Sequence, residues 1–287
     1  MCDSDDKGFI VDTSVTRRSV VVGLSSVAAA VGLPTAALAA NVVETDVTVK
    51  TADGLADAAL FHPAGRGKWP AVLLWPDILG LRPVFREMGR RLAAQGYTVL
   101  VPNPFYRTRR APIVTGPFDF GDKAAMAKLF ELKATLTDSG IDSDTKAYLE
   151  FLDRQKQVDR RKGAGVQGYC FSGPFAFRAA ALRPDRIRAV ATFHGGGLVT
   201  KEADSPHLLI PKTKARFLVA IAQNDDHAQP DAKTILKTGF AAAKRPATVE
   251  VYPAIHGWCV AGSQAYNEPA AEHAWRELDK LYRVTLG

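Results

Sequence analysis

Short apolar segments alternate with amphipathic segments along most of this chain. The apolar segments are rich in Val, Leu, Ala and Ile and are too short for ordinary helices, so they predict buried strands. The segments between them carry apolar residues at the spacing of one helix face. This alternation predicts an α/β fold with a doubly wound, mostly parallel sheet flanked by helices. The predicted strands are 71–74, 98–101, 165–168, 187–193, 215–222 and 247–252, and the predicted helices are 84–95, 123–136, 144–157, 174–181 and 272–282.

The apolar run at 20–40 does not belong to this pattern. It follows the pair Arg17-Arg18 and ends in Ala37-Leu38-Ala39, in which small residues flank a leucine. A charged start, an apolar middle and a small-residue end are typical of a secretory signal peptide, and the arginine pair indicates the twin-arginine route. We therefore expect 1–39 to be a twin-arginine-type signal peptide and 40–287 to be the folded domain, periplasmic or secreted. An uncleaved membrane anchor is the alternative, although a proline interrupts the run.

The charge of the chain narrows the choice of partners. The formal net charge is +7, and loss of 1–39 removes three basic and four acidic residues, so the charge becomes +8. Basic residues cluster at 107–110 and 160–162, but no nucleic-acid-binding motif accompanies them, and such runs are usually solvated. We expect no nucleic-acid partner, membrane contact only during export, and a monomer.

The most informative motif is the segment 166–173, in which a hydrophobic run leads to Cys170 between Gly168 and Gly173. This pattern is typical of the nucleophile elbow of α/β-hydrolases, a strained turn between a strand and a helix, with cysteine in the place of serine. Small residues are needed two positions from the nucleophile. Ser172 departs from the pattern, because the glycine comes one residue later.

A cysteine nucleophile needs a base to accept its proton and an acid to orient that base. In α/β-hydrolases the chain order is nucleophile, acid, histidine. After Cys170, one predicted strand ends just before Asp225 and Asp226, and the next ends just before His256. Three candidate residues in this order, each after a strand, predict acyl-transfer chemistry.

Two backbone N–H groups are candidates for the oxyanion hole that such chemistry requires. One belongs to Phe171, directly after the nucleophile. The other belongs to Ile78, in the loop after the predicted strand 71–74. We expect both groups to stabilise the negative charge that develops on the carbonyl oxygen.

Five motifs of the chain together are typical of one enzyme family: Gly168-Tyr169-Cys170 with Gly173, Asp226 followed by Pro230, Tyr252-Pro253 before His256, the strand from Gly96-Tyr97 to Pro102, and the loop Ile78-x-Gly80. Through these motifs the chain resembles the dienelactone hydrolase family over nearly all of 71–286. The resemblance implies an α/β-hydrolase fold with Cys170 as nucleophile, His256 as base and Asp226 as its orienting acid, with Asp225 as the alternative. It also implies hydrolysis of small esters or lactones through a thioester, with no cofactor.

The resemblance also implies two substrate-binding positions. The family has a glutamate before the oxyanion residue that engages the resting cysteine, and the shorter Asp77 stands at that position here. Arg107 matches an arginine that pairs with the substrate's carboxylate, a task that suits a guanidinium. A second such arginine, four residues after the histidine, is replaced by Val260. We therefore expect a small ester or lactone as the substrate, and whether that substrate bears a carboxylate is left open by the missing second arginine.

Several other interpretations compete with that of an active cysteine hydrolase. Cys259 could pair with Cys170 in an oxidising compartment and silence the nucleophile. Together with Ser172 and Asp77, such a pair would favour a catalytically silent binding or structural protein of the same fold. His194, next to three glycines at a strand end, could line the site or be a structural histidine. No group of residues has zinc-binding spacing, so we expect no metal.

Overall fold

The centre of the computed structural model, which describes residues 10–13 and 42–287, is an eight-stranded sheet. The strands of the described chain are β1 (Ile10–Asp12), β2 (Val42–Thr51), β3 (Gly54–Pro63), β4 (Ala71–Trp75), β5 (Thr98–Pro102), β6 (Pro117–Asp119), β7 (Ala164–Tyr169), β8 (Ile187–Phe193), β9 (Arg216–Ala222) and β10 (Ala247–Tyr252). The order in the large sheet is β10-β9-β8-β7-β4-β5-β3-β2, and a separate two-stranded sheet pairs β1 with β6.

The central strands are parallel, and only the edge formed by β2 and β3 is antiparallel. Every residue of β4, β5 and β7 is buried. Strands that helices cover on both faces read as continuous apolar runs, which is why these segments lack polar–apolar alternation. The outer strand β2 has a mostly exposed or half-buried pattern instead.

The described chain contains seven α-helices, most of which contact strands of this sheet. The helices are α1 (Pro83–Ala94), α2 (Lys123–Ala134), α3 (Asp138–Arg154), α4 (Gly173–Leu182), α5 (Gln223–Ala228), α6 (Ala232–Ala242) and α7 (Glu268–Leu286). Polar side chains cap three of them by accepting from first-turn N–H groups: Asp122 before α2, Thr137 before α3 and Asn267 before α7.

The predicted fold class is confirmed, because all six predicted strands and all five predicted helices are present; β8 and β10 have the predicted ends, and the ends of the other elements are shifted. The sequence did not predict the hairpin β2–β3, the short strands β1 and β6, or the helices α5 and α6. Within the described residues no helix is both long and apolar enough to cross a membrane. The leader prediction for 1–39 falls outside the described residues, apart from 10–13, which include β1.

The sheet topology also fixes where reactive side chains gather. The strands β4, β7, β8, β9 and β10 are parallel, so their carboxyl ends share one edge of the sheet. Loops at that edge form the ligand-binding crevice of open α/β sheets. Each of these strands is followed within four residues by a polar side chain discussed below.

Candidate active site

The turn after β7 holds Cys170 in a strained conformation. Its φ is 57°, in the left-handed region that residues other than glycine rarely adopt. The chain passes close to itself here, because a Cβ atom added at Gly168 would lie 2.2 Å from the Ser172 carbonyl oxygen. Only glycine fits at this position, as the elbow motif predicts. Strain of this kind persists where the surrounding structure enforces it, and it is concentrated at functional sites.

Ser172, the departure from the motif, is part of what enforces this turn. It is fully buried. Its Oγ accepts from the Tyr169 N–H at 2.9 Å and lies 3.1 Å from the Trp75 carbonyl oxygen, to which it can donate. These bonds join the elbow to the end of β4. The later glycine is required as well, because a Cβ at Gly173 would lie 2.7 Å from the Gly195 Cα.

His256 brings the thiol and a carboxylate together. Its Nε2 lies 3.2 Å from Cys170 Sγ, and its Nδ1 lies 2.8 Å from Asp225 Oδ2. A carboxylate can only accept, so Asp225 sets the tautomer in which Nδ1 carries the proton and Nε2 faces the thiol. The backbone N–H of His256 donates to Asn224 Oδ1 at 2.8 Å, which fixes the histidine loop against the acid loop.

The acid that contacts the histidine is Asp225, so the assignment of Asp226 is wrong and the alternative is the one the structure supports. The two residues lie in the short helix α5, where neighbouring side chains point about 100° apart. Asp226 turns to Lys233, with both carboxylate oxygens within 2.8 Å of the ammonium nitrogen. Helical geometry therefore lets only one of the adjacent carboxylates reach His256.

The electrostatics of the histidine follow from its two neighbours. Burial lowers the pKa of His256, but the charge of the Cys170 sulfur and the hydrogen bond to Asp225 raise it. The two effects that raise the pKa together exceed the effect of burial, so the pKa of His256 lies well above its usual value. An imidazole in this environment is a strong proton acceptor for the adjacent thiol.

The loop after β4 carries Asp77 and Ile78. Asp77 forms a buried bidentate ion pair with Arg82, at 2.5 and 2.8 Å, and also accepts from the Leu79 N–H. Both oxygens of the Asp77 carboxylate are thus bound to groups that follow it closely in the chain. This arrangement does not support the predicted contact of Asp77 with the substrate or the resting thiol. Ile78 is buried in this turn, and β4 pairs with β7 at Trp75 and Gly168, so the loop starts beside the elbow. Donation from its N–H stays a prediction.

Phe171, the other predicted oxyanion donor, follows the nucleophile in a one-turn 3₁₀ segment. Its ring stacks on Phe105, with centroids 5.8 Å apart, and meets Phe175 edge to face. This packing fixes the position of its peptide group. The donor role of the Phe171 N–H stays a prediction.

Arg107 is bound by carboxylates of the protein itself, which corrects its assignment as a ligand of the substrate. Its nitrogens lie 2.7 and 2.9 Å from the two oxygens of Asp144, and its Nε and Nη2 lie 2.9 and 2.6 Å from Asp53. The Asp144 side chain is only 3% exposed, so separating the pair would leave a buried charge uncompensated. With two carboxylates of the protein bound to it, the guanidinium is not available to the carboxylate of a substrate.

His194 lies against the catalytic histidine. Its ring meets the His256 ring edge to face with centroids 4.6 Å apart, and it is 1% exposed. Burial and the neighbouring His256 hold the pKa of His194 well below its usual value, which favours the neutral form of this ring. The sequence left two alternatives, a histidine that lines the site or a structural histidine, because the local pattern does not show which way a residue after a strand points.

The two described cysteines are both free thiols. Burial and the charge of Asp77 raise the pKa of the Cys259 thiol well above its usual value. Cys259 lines a cavity of about 680 Å³ whose wall includes Tyr169, the residue before the nucleophile. Neither Cys170 nor His256 contributes to that wall, so the cavity lies apart from the reacting atoms.

Parallel strands that bring a nucleophile, an acid and a histidine, in that chain order, to one edge of a sheet are the arrangement of α/β-hydrolases. The fold and the site place the protein in this class. The sequence profile of the dienelactone hydrolase family matches residues 56–285, and the chain belongs to that family. It is accordingly a carboxylic ester hydrolase.

Individual relatives agree with this assignment. The chain is 26% identical over 229 residues to a carboxymethylenebutenolidase of Rhodococcus opacus, covering 77% of this chain and 84% of that protein. It is 26% identical over 222 residues to a carboxymethylenebutenolidase of Pseudomonas sp., covering 76% and 87%. The crystal structure of a dienelactone hydrolase-like phosphotriesterase from metagenomic libraries superposes with a TM-score of 0.70 at 20% identity. That superposition covers 86% of this chain and 100% of that one.

Proposed function

We propose that the protein hydrolyses small neutral esters or lactones by acyl transfer to Cys170, acting as a monomer. The contacts from Cys170 Sγ to His256 Nε2 at 3.2 Å and from His256 Nδ1 to Asp225 at 2.8 Å carry the proposal. They form a nucleophile, a base and an orienting acid within hydrogen-bond reach of one another.

In the first half of the reaction His256 Nε2 accepts the thiol proton, and the sulfur of Cys170 attacks the carbonyl carbon. The N–H groups of Phe171 and Ile78 would donate to the resulting oxyanion. When the tetrahedral intermediate collapses, the carbon–oxygen bond of the ester breaks and His256 returns the proton to the leaving alkoxide. The acyl group remains on Cys170 as a thioester.

In the second half His256 accepts a proton from water, and the hydroxide attacks the thioester carbonyl. Collapse of the second intermediate breaks the carbon–sulfur bond, and the sulfur regains its proton. The product is a carboxylic acid, and no cofactor enters the balance. For a lactone, the leaving alcohol stays attached to the acyl chain, so the product is a hydroxy acid.

The preference for neutral substrates follows from the two positions at which the family binds a substrate carboxylate, because neither position offers an unpaired cation here. Asp53 and Asp144 neutralise Arg107, and Val260 stands where the family has its second arginine. The side chains next to the elbow are apolar instead, with Phe105 and Phe175 packed on Phe171. An acyl group that contacts this cluster gains by burying apolar surface and meets no unpaired cation there.

Matched ester substrates test this preference. We expect a p-nitrophenyl ester of a straight-chain acid to be hydrolysed at least as well as the matching ester whose acyl chain ends in a carboxylate. A hydrogen bond to a charged group contributes about 1.5–3 kcal/mol, or about 10- to 150-fold. A carboxylate ester favoured by that factor in kcat/KM would reject the neutral preference, and failure to hydrolyse either ester would reject the function.

We also propose that the enzyme is exported by the twin-arginine route and cleaved after Ala39. Support comes from the sequence alone: the pair Arg17-Arg18, the apolar run after it and the small residues that end the run. N-terminal sequencing of the protein recovered from the periplasm should read from Ala40. Recovery of a chain that still begins at Met1 in that fraction would contradict cleavage.

A further inference from the structure

The ring of His194 has no hydrogen-bonding role that the hydrolytic reaction uses. Within residues 10–13 and 42–287 neither of its ring nitrogens has a hydrogen-bond partner. A neutral imidazole carries one donor and one acceptor, and buried polar groups are nearly always paired. The backbone of His194 lies in the left-handed region at φ 41°, and its backbone N–H donates to the Ala220 carbonyl at 2.8 Å, so the peptide does not satisfy the ring nitrogens. A buried imidazole with two unpaired ring nitrogens calls for a ligand.

The unpaired ring faces two other metal-ligating side chains. One potential ligand atom from each of Cys170, His194 and His256 lies within 4.8 Å of the other two. Zinc bonds of about 2.3 Å to sulfur and about 2.0–2.1 Å to nitrogen place tetrahedral ligand atoms about 3.3–3.6 Å apart. The measured 3.2 Å between His256 Nε2 and Cys170 Sγ is close to that spacing. A small rotation of the His194 ring would complete the set.

The surroundings of His256 already match those of a metal-bound histidine. Its Nδ1 pairs with Asp225, which leaves the Nε2 lone pair directed at Cys170. Metal-ligating histidines almost always donate their other ring N–H to a carboxylate or carbonyl in this way. Thiolate and imidazole ligands together suit zinc and copper rather than magnesium or calcium.

We propose that Cys170, His194 and His256 bind one soft divalent cation, with Zn²⁺ as the representative, and that this binding reversibly blocks hydrolysis. The sulfur–metal and nitrogen–metal bonds form at the expense of the one proton that Cys170 and His256 share, which is released to solvent. The same lone pairs attack the ester and accept the thiol proton, so metal binding and catalysis exclude each other. Binding stands on its own geometry, whereas inhibition rests on the proposed function.

Co²⁺ is the spectroscopic probe of this site, added to the chelator-treated full-length protein. We expect one Co²⁺ per chain, with a thiolate-to-cobalt charge-transfer band and the strong visible bands of tetrahedral coordination. Zn²⁺ should displace it and protect Cys170 from alkylation. His194→Phe should weaken binding by at least about 10- to 100-fold, the loss typical of even outer-shell partners. His62→Gln, a histidine on β3 that stacks on Trp69, is the matched control and should bind like the wild type.

Equal affinity of the wild type and His194→Phe would overturn the proposal, as would absence of the charge-transfer band from the wild type. Cys170→Ala gives a second test that does not depend on the folding of His194→Phe, because the band must vanish in it; a band that survives also overturns the proposal. Hydrolysis is measured separately in chelating buffer. Cobalt binding without hydrolysis would reject the proposed function alone, and hydrolysis without a cobalt band would reject the metal site alone.

Discussion

Replacement of Cys170 by alanine is expected to lower kcat/KM for p-nitrophenyl acetate by at least about 10³-fold. The acyl group has no sulfur to bond to, so the enzyme is left with what the oxyanion donors and substrate binding contribute. The measurement is the initial release of p-nitrophenolate under reducing, metal-free conditions. Acid quenching during turnover should trap an acyl adduct on Cys170 in the wild type, visible by mass spectrometry of the digested protein.

Cys259→Ala is the matched control, because it removes the other described thiol and leaves the contact between Cys170 and His256 intact. It should keep wild-type kcat/KM within a few-fold. Equal hydrolysis by Cys170→Ala and the wild type would contradict the assignment of the nucleophile. An acyl adduct found on another residue would contradict it as well.

The second large effect concerns the two adjacent carboxylates. Asp225→Asn should lower kcat by about 10²- to 10⁴-fold, because an amide can donate to Nδ1 and stabilise the wrong histidine tautomer. Asp226→Asn removes only a contact with the partly exposed Lys233, so it should leave kcat nearly unchanged. It should lower the free energy of unfolding by about 1 kcal/mol or less. The readouts are kcat for both variants and their melting temperatures.

An NMR titration of His256 adds a readout of mechanism. The hydrogen bond to Asp225 raises the pKa of His256, so its removal should lower that pKa, and the ring should lose its proton at lower pH in Asp225→Asn. In Asp226→Asn the pKa of His256 should equal that of the wild type. If Asp226→Asn lost activity and Asp225→Asn kept it, the order of the two roles given by the structure would be reversed.

The strands and helices were predictable because burial on both faces leaves an unmistakable local signal. Strands β4, β5 and β9 are short apolar runs, and the helices between them repeat apolar residues at helical spacing. The elbow was predictable for a steric reason, since the close approach at Gly168 excludes other residues. The hairpin β2–β3 carries a weaker signal, because the outer strand is largely exposed.

The contacts of the charged residues could not be predicted in the same way. Asp225 and Asp226 differ only in which way a short helix turns them, and the sequence does not show that a helix begins at Gln223. Arg107 forms ion pairs with Asp53, in the turn after β2, and with Asp144 on α3. The carboxylate of Asp77 pairs with Arg82, five residues later in the chain. Motif alignment finds the position of a charge but not its partner, and the partner decides whether the charge is available.

The unequal environments of the two thiols make the enzyme suitable for active-site titration. The thiolate is the form that reacts with electrophiles, and the raised pKa of Cys259 keeps that sulfur protonated at neutral pH. Cys170 has a proton acceptor 3.2 Å away. On the described part of the chain, a haloacetamide dye should therefore label a single sulfur. Bound dye would count competent enzyme molecules directly, and kcat could be calculated per functional site instead of per milligram of protein.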